Sequence, residues 1–192
     1  MMNKVTKAIE FAAAAHDGMV RKKADTPYIL HPLEAAVIVG SMTSDEDIIS
    51  AALLHDVVED TPVTIEEIEE KFGSRVKELV ESETEDKRAD LPPESTWRAR
   101  KEESLNDLAT CKDNAVLMLW LGDKLSNMRS FYRIWKTEGD SMWLAFNQKD
   151  KNQQKWYYTT IAGLTSDLKD FSAWQEYNEL VKIVFGKDNC NE

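Results

Sequence analysis

The stretch Leu53-Leu54-His55-Asp56-Val57-Val58-Glu59-Asp60 places one imidazole and three carboxylates directly after an apolar run. On a helix, with about 100° per residue, these four polar side chains fall within an arc of roughly 140°. Buried acids are costly unless a positive group compensates them, and histidine and aspartate ligate divalent metals directly. This stretch fits two interpretations about equally well. One is a metal site, and the other is a helix end whose acidic side chains are simply solvated.

A second apolar run, residues 115–121, also ends in polar groups. Asp123 and Asn127 follow it four residues apart, which places them on one face of a helix. His31 stands beside Pro32, which suits the first turn of another predicted helix. Two imidazoles and two carboxylates then form one candidate ligand set: His31, His55, Asp56 and Asp123. Nitrogen and oxygen ligands without thiolate suit Mn²⁺, Fe²⁺, Co²⁺ or Zn²⁺ better than Ca²⁺.

The elements that must position these residues are all predicted to be helices. The chain has seven glycines and five prolines and shows no clear period-2 strand pattern. Helical spacing predicts a first helix near residues 3–16, a continuous helix from about 45 to 60, and a last helix near 173–185. The polar segment 82–96 is predicted to be a mobile loop, with a solvated linker favoured over a lid that covers the site. His16 is expected to be a hydrogen-bonded core histidine, and most aromatic side chains after residue 130 are expected to pack in the core.

Composition limits the classes of function. The length of 192 residues suits one domain, spanning 1–192. The net charge of −11 argues against nucleic acid as a partner, whereas a small anionic substrate is possible if basic residues gather locally. No apolar run approaches the roughly 20 residues that cross a bilayer, so no membrane association is expected. Two distant cysteines favour a reducing cytoplasm. The oligomeric state stays open.

Several segments together resemble the HD-domain metal-dependent phosphohydrolases, and among them the RelA/SpoT-type hydrolases of guanosine tetraphosphate (ppGpp), best of all the small single-domain members. The order and spacing of the segments match this family from about residue 5 to residue 133. The matching segments are Ala15-His16-Asp17-Gly18 with Arg21-Lys22, Thr26-Pro27-Tyr28-Ile29-Leu30-His31-Pro32, residues 51–61, Phe72-Gly73, Arg100-Lys101, and Gly122-Asp123-Lys124-Leu125-Ser126-Asn127-Met128-Arg129. The resemblance implies an all-α HD-domain bundle of about eight to ten helices.

The resemblance also implies roles for individual residues. The ligand set named above would bind one metal, usually Mn²⁺ in the family. Glu59 and Asp60 match the pair that positions or deprotonates the attacking water. Five residues match, or lie beside, substrate contacts: Arg21, Lys22, Lys101, Lys124 and Asn127. Departures at Trp120, Gly122, Ser126 and residues 23–25 leave every proposed ligand in place but put the substrate's identity in question.

The implied reaction is removal of the 3′-pyrophosphate from ppGpp or a related nucleotide. One alternative is a phosphohydrolase with the same site and another nucleotide substrate, such as a nucleoside 5′-phosphate, an NADPH-like 2′-phosphate or a cyclic nucleotide. A second alternative is a non-catalytic alarmone sensor, although a sensor has no need for the Glu59-Asp60 pair. The third is a helical scaffold with exposed acids.

Overall fold

The computed structural model describes residues 3–21, 25–88 and 90–186. Over these ranges the chain forms α-helices and two short 3-10 helices, without a β-strand, as the sequence predicts. The α-helices are α1 (Lys4–Ala15), α2 (Leu30–Gly40), α3 (Glu46–Leu54), α4 (Val57–Asp60), α5 (Ile65–Phe72), α6 (Ser74–Glu81), α7 (Pro93–Thr110), α8 (Asn114–Glu138), α9 (Lys151–Leu164) and α10 (Ser172–Phe185). The 3-10 helices span Gly139–Ala145 and Ser166–Leu168. Within the described ranges, no helix combines the length and the apolar character needed to cross a membrane.

Helices α3 and α8 form the centre of the bundle. Both apolar runs picked out in the sequence are buried here, with Leu53, Leu54, Leu119 and Leu121 at most 1% exposed. Helix α2 packs against both α3 and α8, while α1 and α6 cover α3. Helix α10 packs against α8 and α9. Because α2 contacts both central helices, side chains from three separate parts of the chain can meet at one point.

The helix predicted to run without interruption from about 45 to 60 is broken in the structure. Helix α3 begins after Asp45, whose side chain accepts a hydrogen bond from the Asp47 N–H, and it ends at Leu54. His55 and Asp56 form the junction to the one-turn helix α4. The side chain of His55 bonds to the Ala52 carbonyl oxygen at this junction. The break shows that the regular 100° spacing assumed for these residues was wrong there.

The segment 82–96 is only in part the solvated linker that the sequence predicted: residues 86, 87 and 90–95 are exposed, whereas the residues at its start contact the bundle. Helix α7 already begins at Pro93, and Glu83 is buried. Glu85 forms ion pairs with Arg100 and Lys101 of α7, at 2.8 Å and 2.6 Å. Short-range patterns could not reveal these contacts, because the partners of the acids come from another helix. This part of the chain therefore belongs to the wall of the site described next.

Candidate metal centre

Four side chains from three segments converge at one point in the bundle. His31 is the second residue of α2, His55 and Asp56 form the α3–α4 junction, and Asp123 lies in the middle of α8. The Nε2 atom of His31 lies 3.0 Å from Asp123 Oδ1 and 3.5 Å from Asp56 Oδ2. The Nε2 atom of His55 lies 3.2 Å from Asp56 Oδ2 and 3.7 Å from Asp123 Oδ1. The structure thus brings together all four residues of the predicted ligand set.

The donor set fits a divalent cation. The Nδ1 atom of His55 lies 2.8 Å from the Ala52 carbonyl oxygen, which can only accept, so Nδ1 carries the hydrogen of the neutral ring. The lone pair of His55 then lies on Nε2, which is buried and has no hydrogen-bond partner among the described residues. Buried polar atoms normally have a partner, and a metal ion would be the partner of this imidazole nitrogen and of the two carboxylates that face it. His31, His55 and Asp123 can hold a metal ion, and Asp56 lies within reach of it.

The electrostatics favour positive charge at this point. Burial opposes ionisation of Asp123, but Lys124 and the two histidines outweigh it and hold the pKa of Asp123 well below its usual range. Burial also opposes protonation of His55, but Asp56 and Asp123 raise its pKa well above the usual value. Burial lowers the pKa of His31. Because both carboxylates favour positive charge on their neighbours, a bound cation would be stabilised at this point.

Glu59 and Asp60 border a cavity of about 540 Å³ beside the four converging residues. Burial and the neighbouring Asp56 carboxylate raise the pKa of Glu59. The exposed Lys87 lies 3.5 Å from Glu59 and also contacts Asp60. The Glu85 N–H donates a weak hydrogen bond of 3.4 Å to Glu59. The predicted catalytic pair is thus held at the cavity by residues of the 82–96 segment.

The predicted substrate contacts differ in how accessible they are. Arg21 borders the cavity and donates a 2.9 Å hydrogen bond to Asn127, which in turn donates to Asp123. Lys101 borders the cavity and is paired with Glu85. Lys124 is buried, contacts Asp123, and lies 3.2 Å from Glu83. Lys22 lies outside the described residues. Basic residues therefore gather locally, although Lys101 and Lys124 already have acidic partners.

Sequence reasoning missed four residues that support the site. The Tyr28 hydroxyl donates a 2.7 Å hydrogen bond to Asp56, and its position inside a recognised motif was an available signal. Ser126 lies 2.9 Å from His31, and the sequence marked it only as a departure. Glu83 contacts Lys124, and Tyr157 borders the cavity. Neither gave a signal in the sequence, since one lies in a polar segment and the other in an aromatic run. His16 is buried as expected, but its Nδ1 atom contacts the Met19 sulfur at 3.4 Å, and its Nε2 atom has no hydrogen-bond partner among the described residues.

Comparison with known proteins agrees with this geometry. The family model described as "HD domain" matches residues 8–143. A relative from Aquifex aeolicus (strain VF5), named guanosine-3′,5′-bis(diphosphate) 3′-pyrophosphohydrolase, is 35% identical over 94% of this chain and 23% of its own length. A GTP pyrophosphokinase rsh from Brucella ovis is 40% identical over 66% of this chain and 16% of its own. The chain therefore spans less than a quarter of the length of these curated relatives.

Two solved structures match most of the chain. One, titled as a metazoan ortholog of SpoT that hydrolyzes ppGpp and plays a role in starvation responses, has a TM-score of 0.74 and 26% identity, covering 95% of this chain and 96% of that one. The other, lmo0812 from Listeria monocytogenes EGD-e, has a TM-score of 0.71 and 34% identity, covering 82% and 99%. With the family model matching well over half of its residues, the chain belongs to the HD domain family.

Proposed function

We propose that this chain is a metal-dependent nucleotide pyrophosphohydrolase that removes the 3′-pyrophosphate from ppGpp or a related nucleotide. The observation that carries the proposal is the convergence of two imidazole nitrogens and two carboxylates beside a cavity that also holds an acid pair and several cations. The names of the Aquifex relative and of the metazoan structure support the substrate class. We propose Mn²⁺ as the metal, with Zn²⁺, Fe²⁺ or Co²⁺ as substitutes, because the donors are nitrogen and oxygen.

The proposed ligands are His31, His55, Asp56 and Asp123. A divalent cation there would supply Lewis-acid polarisation and a more acidic water. Tyr28 holds Asp56 in place through its hydroxyl, and Asn127 holds Asp123 through its amide. These hydrogen bonds fix the carboxylate oxygens before substrate arrives, so that less reorganisation is needed during the reaction.

Glu59 is the proposed proton acceptor for the attacking water, and Asp60 orients the same water. A carboxyl group with a raised pKa holds a proton more firmly than an ordinary one, which suits a general base near neutral pH. Lys87 contacts both carboxylates and keeps the pair at the rim of the cavity.

The remaining cavity wall is suited to a nucleotide. Arg21, Arg100 and Lys101 place positive charge around it, which would offset the negative charge of the substrate and of the departing pyrophosphate. Trp97, Tyr157 and Tyr158 add aromatic surface. A volume of about 540 Å³ lies within the usual range for small-molecule sites. Arg21, Lys101, Lys124 and Asn127 remain proposed substrate-binding residues, as does Lys22.

Product analysis tests this function. Protein stripped of metal and reloaded with Mn²⁺ should convert ppGpp to GDP and pyrophosphate in equal amounts. The same assay should include a nucleoside 5′-phosphate, NADPH and a cyclic nucleotide. If one of these nucleotides is hydrolysed faster than ppGpp, it replaces ppGpp as the proposed substrate, and the assignment as a phosphohydrolase stands. Tight ppGpp binding without product in the presence of Mn²⁺ would instead favour the sensor.

We place the reaction in the cytoplasm and in a single domain, as the sequence suggested.

A further inference from the structure

Ser126 connects His31 to a carboxylate that is not part of the ligand set. The Ser126 oxygen lies 2.9 Å from Nδ1 of His31, and its hydroxyl donates a 2.7 Å hydrogen bond to Glu34 Oε2. Ser126 is 1% exposed and the side chain of His31 is 3% exposed, so water does not compete readily for the contact between them, whereas the Glu34 side chain is 27% exposed. The three residues come from two helices, α2 and α8, that pack directly against each other.

The direction of the hydrogen bonds decides where His31 carries its hydrogen. A serine hydroxyl has one hydrogen, and here it is given to Glu34. The contact between Ser126 and His31 is therefore a bond that His31 Nδ1–H donates. The lone pair of the neutral ring must then lie on Nε2, which faces Asp123 Oδ1 at 3.0 Å. The tautomer of His31 that can ligate a metal is the one selected by Ser126.

Glu34 is itself held in place from the far side. Arg129 lies 3.3 Å from Glu34 Oε1. The same guanidinium group forms a bidentate ion pair with Glu176 of α10, with hydrogen bonds of 2.7 Å and 2.6 Å. Such planar guanidinium–carboxylate pairs are geometrically specific. A chain of contacts therefore runs from His31 through Ser126, Glu34 and Arg129 to the last helix, and it reaches a part of the chain that the family motifs do not cover.

We propose that Ser126 and Glu34 are positioning residues for His31, which keep its Nε2 atom free for the metal. Without the Ser126 oxygen, Nδ1 loses its acceptor, and the ring can instead donate an Nε2–H bond to Asp123 Oδ1. That hydrogen would occupy the place of the cation, so metal binding would have to displace it. The inference depends on the proposed function only in that His31 is taken as a ligand.

Metal affinity provides the first test. Calorimetric titration of metal-stripped protein with Mn²⁺ should show a dissociation constant raised roughly 10- to 100-fold by Ser126→Ala, the usual effect of losing such a supporting partner. Glu34→Leu, which removes the acceptor, should weaken binding more than Glu34→Gln, which keeps one. Ser50→Ala is the matched control, because Ser50 is equally buried in α3 and its hydroxyl has no described partner. Its affinity should equal that of the wild type.

The tautomer gives a second readout that a loss of packing would not produce. The chain has only three histidines, so long-range ¹H–¹⁵N correlation spectra of the metal-free protein can resolve every ring. Ser126→Ala should shift His31 towards the Nε2–H form and leave His55, which donates to Ala52, unchanged. Unchanged Mn²⁺ affinity together with an unchanged His31 tautomer would overturn the inference. Wild-type protein that binds Mn²⁺ but fails to hydrolyse ppGpp would overturn the proposed substrate and leave this inference standing.

Discussion

Gly122 of α8 lies directly against the backbone of Ala35 in α2. A Cβ atom at position 122 would come within 3.1 Å of the Ala35 carbonyl oxygen and 2.6 Å of a methyl group of Val39. Neither neighbour can yield easily, because one is backbone and the other a β-branched side chain. The absence of a side chain at residue 122 thus sets how closely α8, which carries Asp123, approaches α2, which carries His31.

Replacing this glycine should separate the two helices. In Gly122→Ala, overpacking costs about 1–3 kcal/mol, against a gain of at most about 1 kcal/mol in helix propensity. We expect a lower free energy of unfolding in urea and weaker Mn²⁺ binding, because His31 moves away from Asp123. Gly163→Ala is the control, since a Cβ atom there meets open space in α9. It should stabilise the protein slightly, and a similar gain in Gly122→Ala would refute the close approach.

The ligand assignment predicts that Asp123→Ala abolishes both Mn²⁺ binding and turnover. Asp123 contributes the Oδ1 atom that lies near both histidine nitrogens, and its loss leaves Asp56 as the single carboxylate of the ligand set. Titration calorimetry and product assays would measure the two losses. Asp113→Ala is the control on the same helix: loss of this N-cap should cost about 1 kcal/mol of stability but leave Mn²⁺ affinity unchanged. Residual turnover in Asp123→Ala would show that the ligand set is wrong.

Glu59→Gln separates proton transfer from metal binding. Because Glu59 is proposed to accept a proton, kcat should fall by about 10²- to 10⁴-fold, while the dissociation constant for Mn²⁺ stays within a few-fold of the wild type. The raised pKa of Glu59 further predicts that the acidic limb of the wild-type kcat profile lies above the ordinary carboxyl range. An exposed control, Glu66→Gln, should change neither value. A variant at residue 59 with full kcat would contradict the proposed role.

Glu83 should make the metal-free protein less stable as the pH rises. Burial raises its pKa to about 7, from an ordinary value of 4.5. Between these values the folded state binds more protons than the unfolded chain, so this contribution to stability is complete below about pH 4.5 and is lost as the pH rises through 7. Glu83→Gln lacks this titration.

Relative to the wild type, Glu83→Gln should therefore gain stability between pH 5 and pH 8, by at most about 3 kcal/mol. Urea unfolding at the two pH values measures the difference, with the exposed Glu81→Gln as the control. A pH-independent difference between Glu83→Gln and the wild type would show that Glu83 titrates normally.

Much of the architecture could be predicted from local patterns. The capping box of Thr64 and Glu67 at the start of α5 joins residues three positions apart, so its pattern is visible in the sequence itself. The last helix, predicted near 173–185, spans Ser172–Phe185. These features depend on residues close together in the sequence, whose spacing reflects the helical period. The break at His55 was missed because the apolar spacing of the sequence continues across it, although the helix itself ends where the His55 side chain bonds to the Ala52 carbonyl oxygen.

By itself, the sequence determined the helical class, the two buried runs and the residue types able to bind a metal, because each depends on local spacing and composition. Only the tertiary structure decided that His31, His55 and Asp123 meet, that Lys124 is buried between two acids, and that Ser126 lies between His31 and Glu34. These relationships join residues up to 95 positions apart. They depend on how α2, α3 and α8 pack, and helix packing is set by the shapes of all the facing side chains together rather than by any single motif.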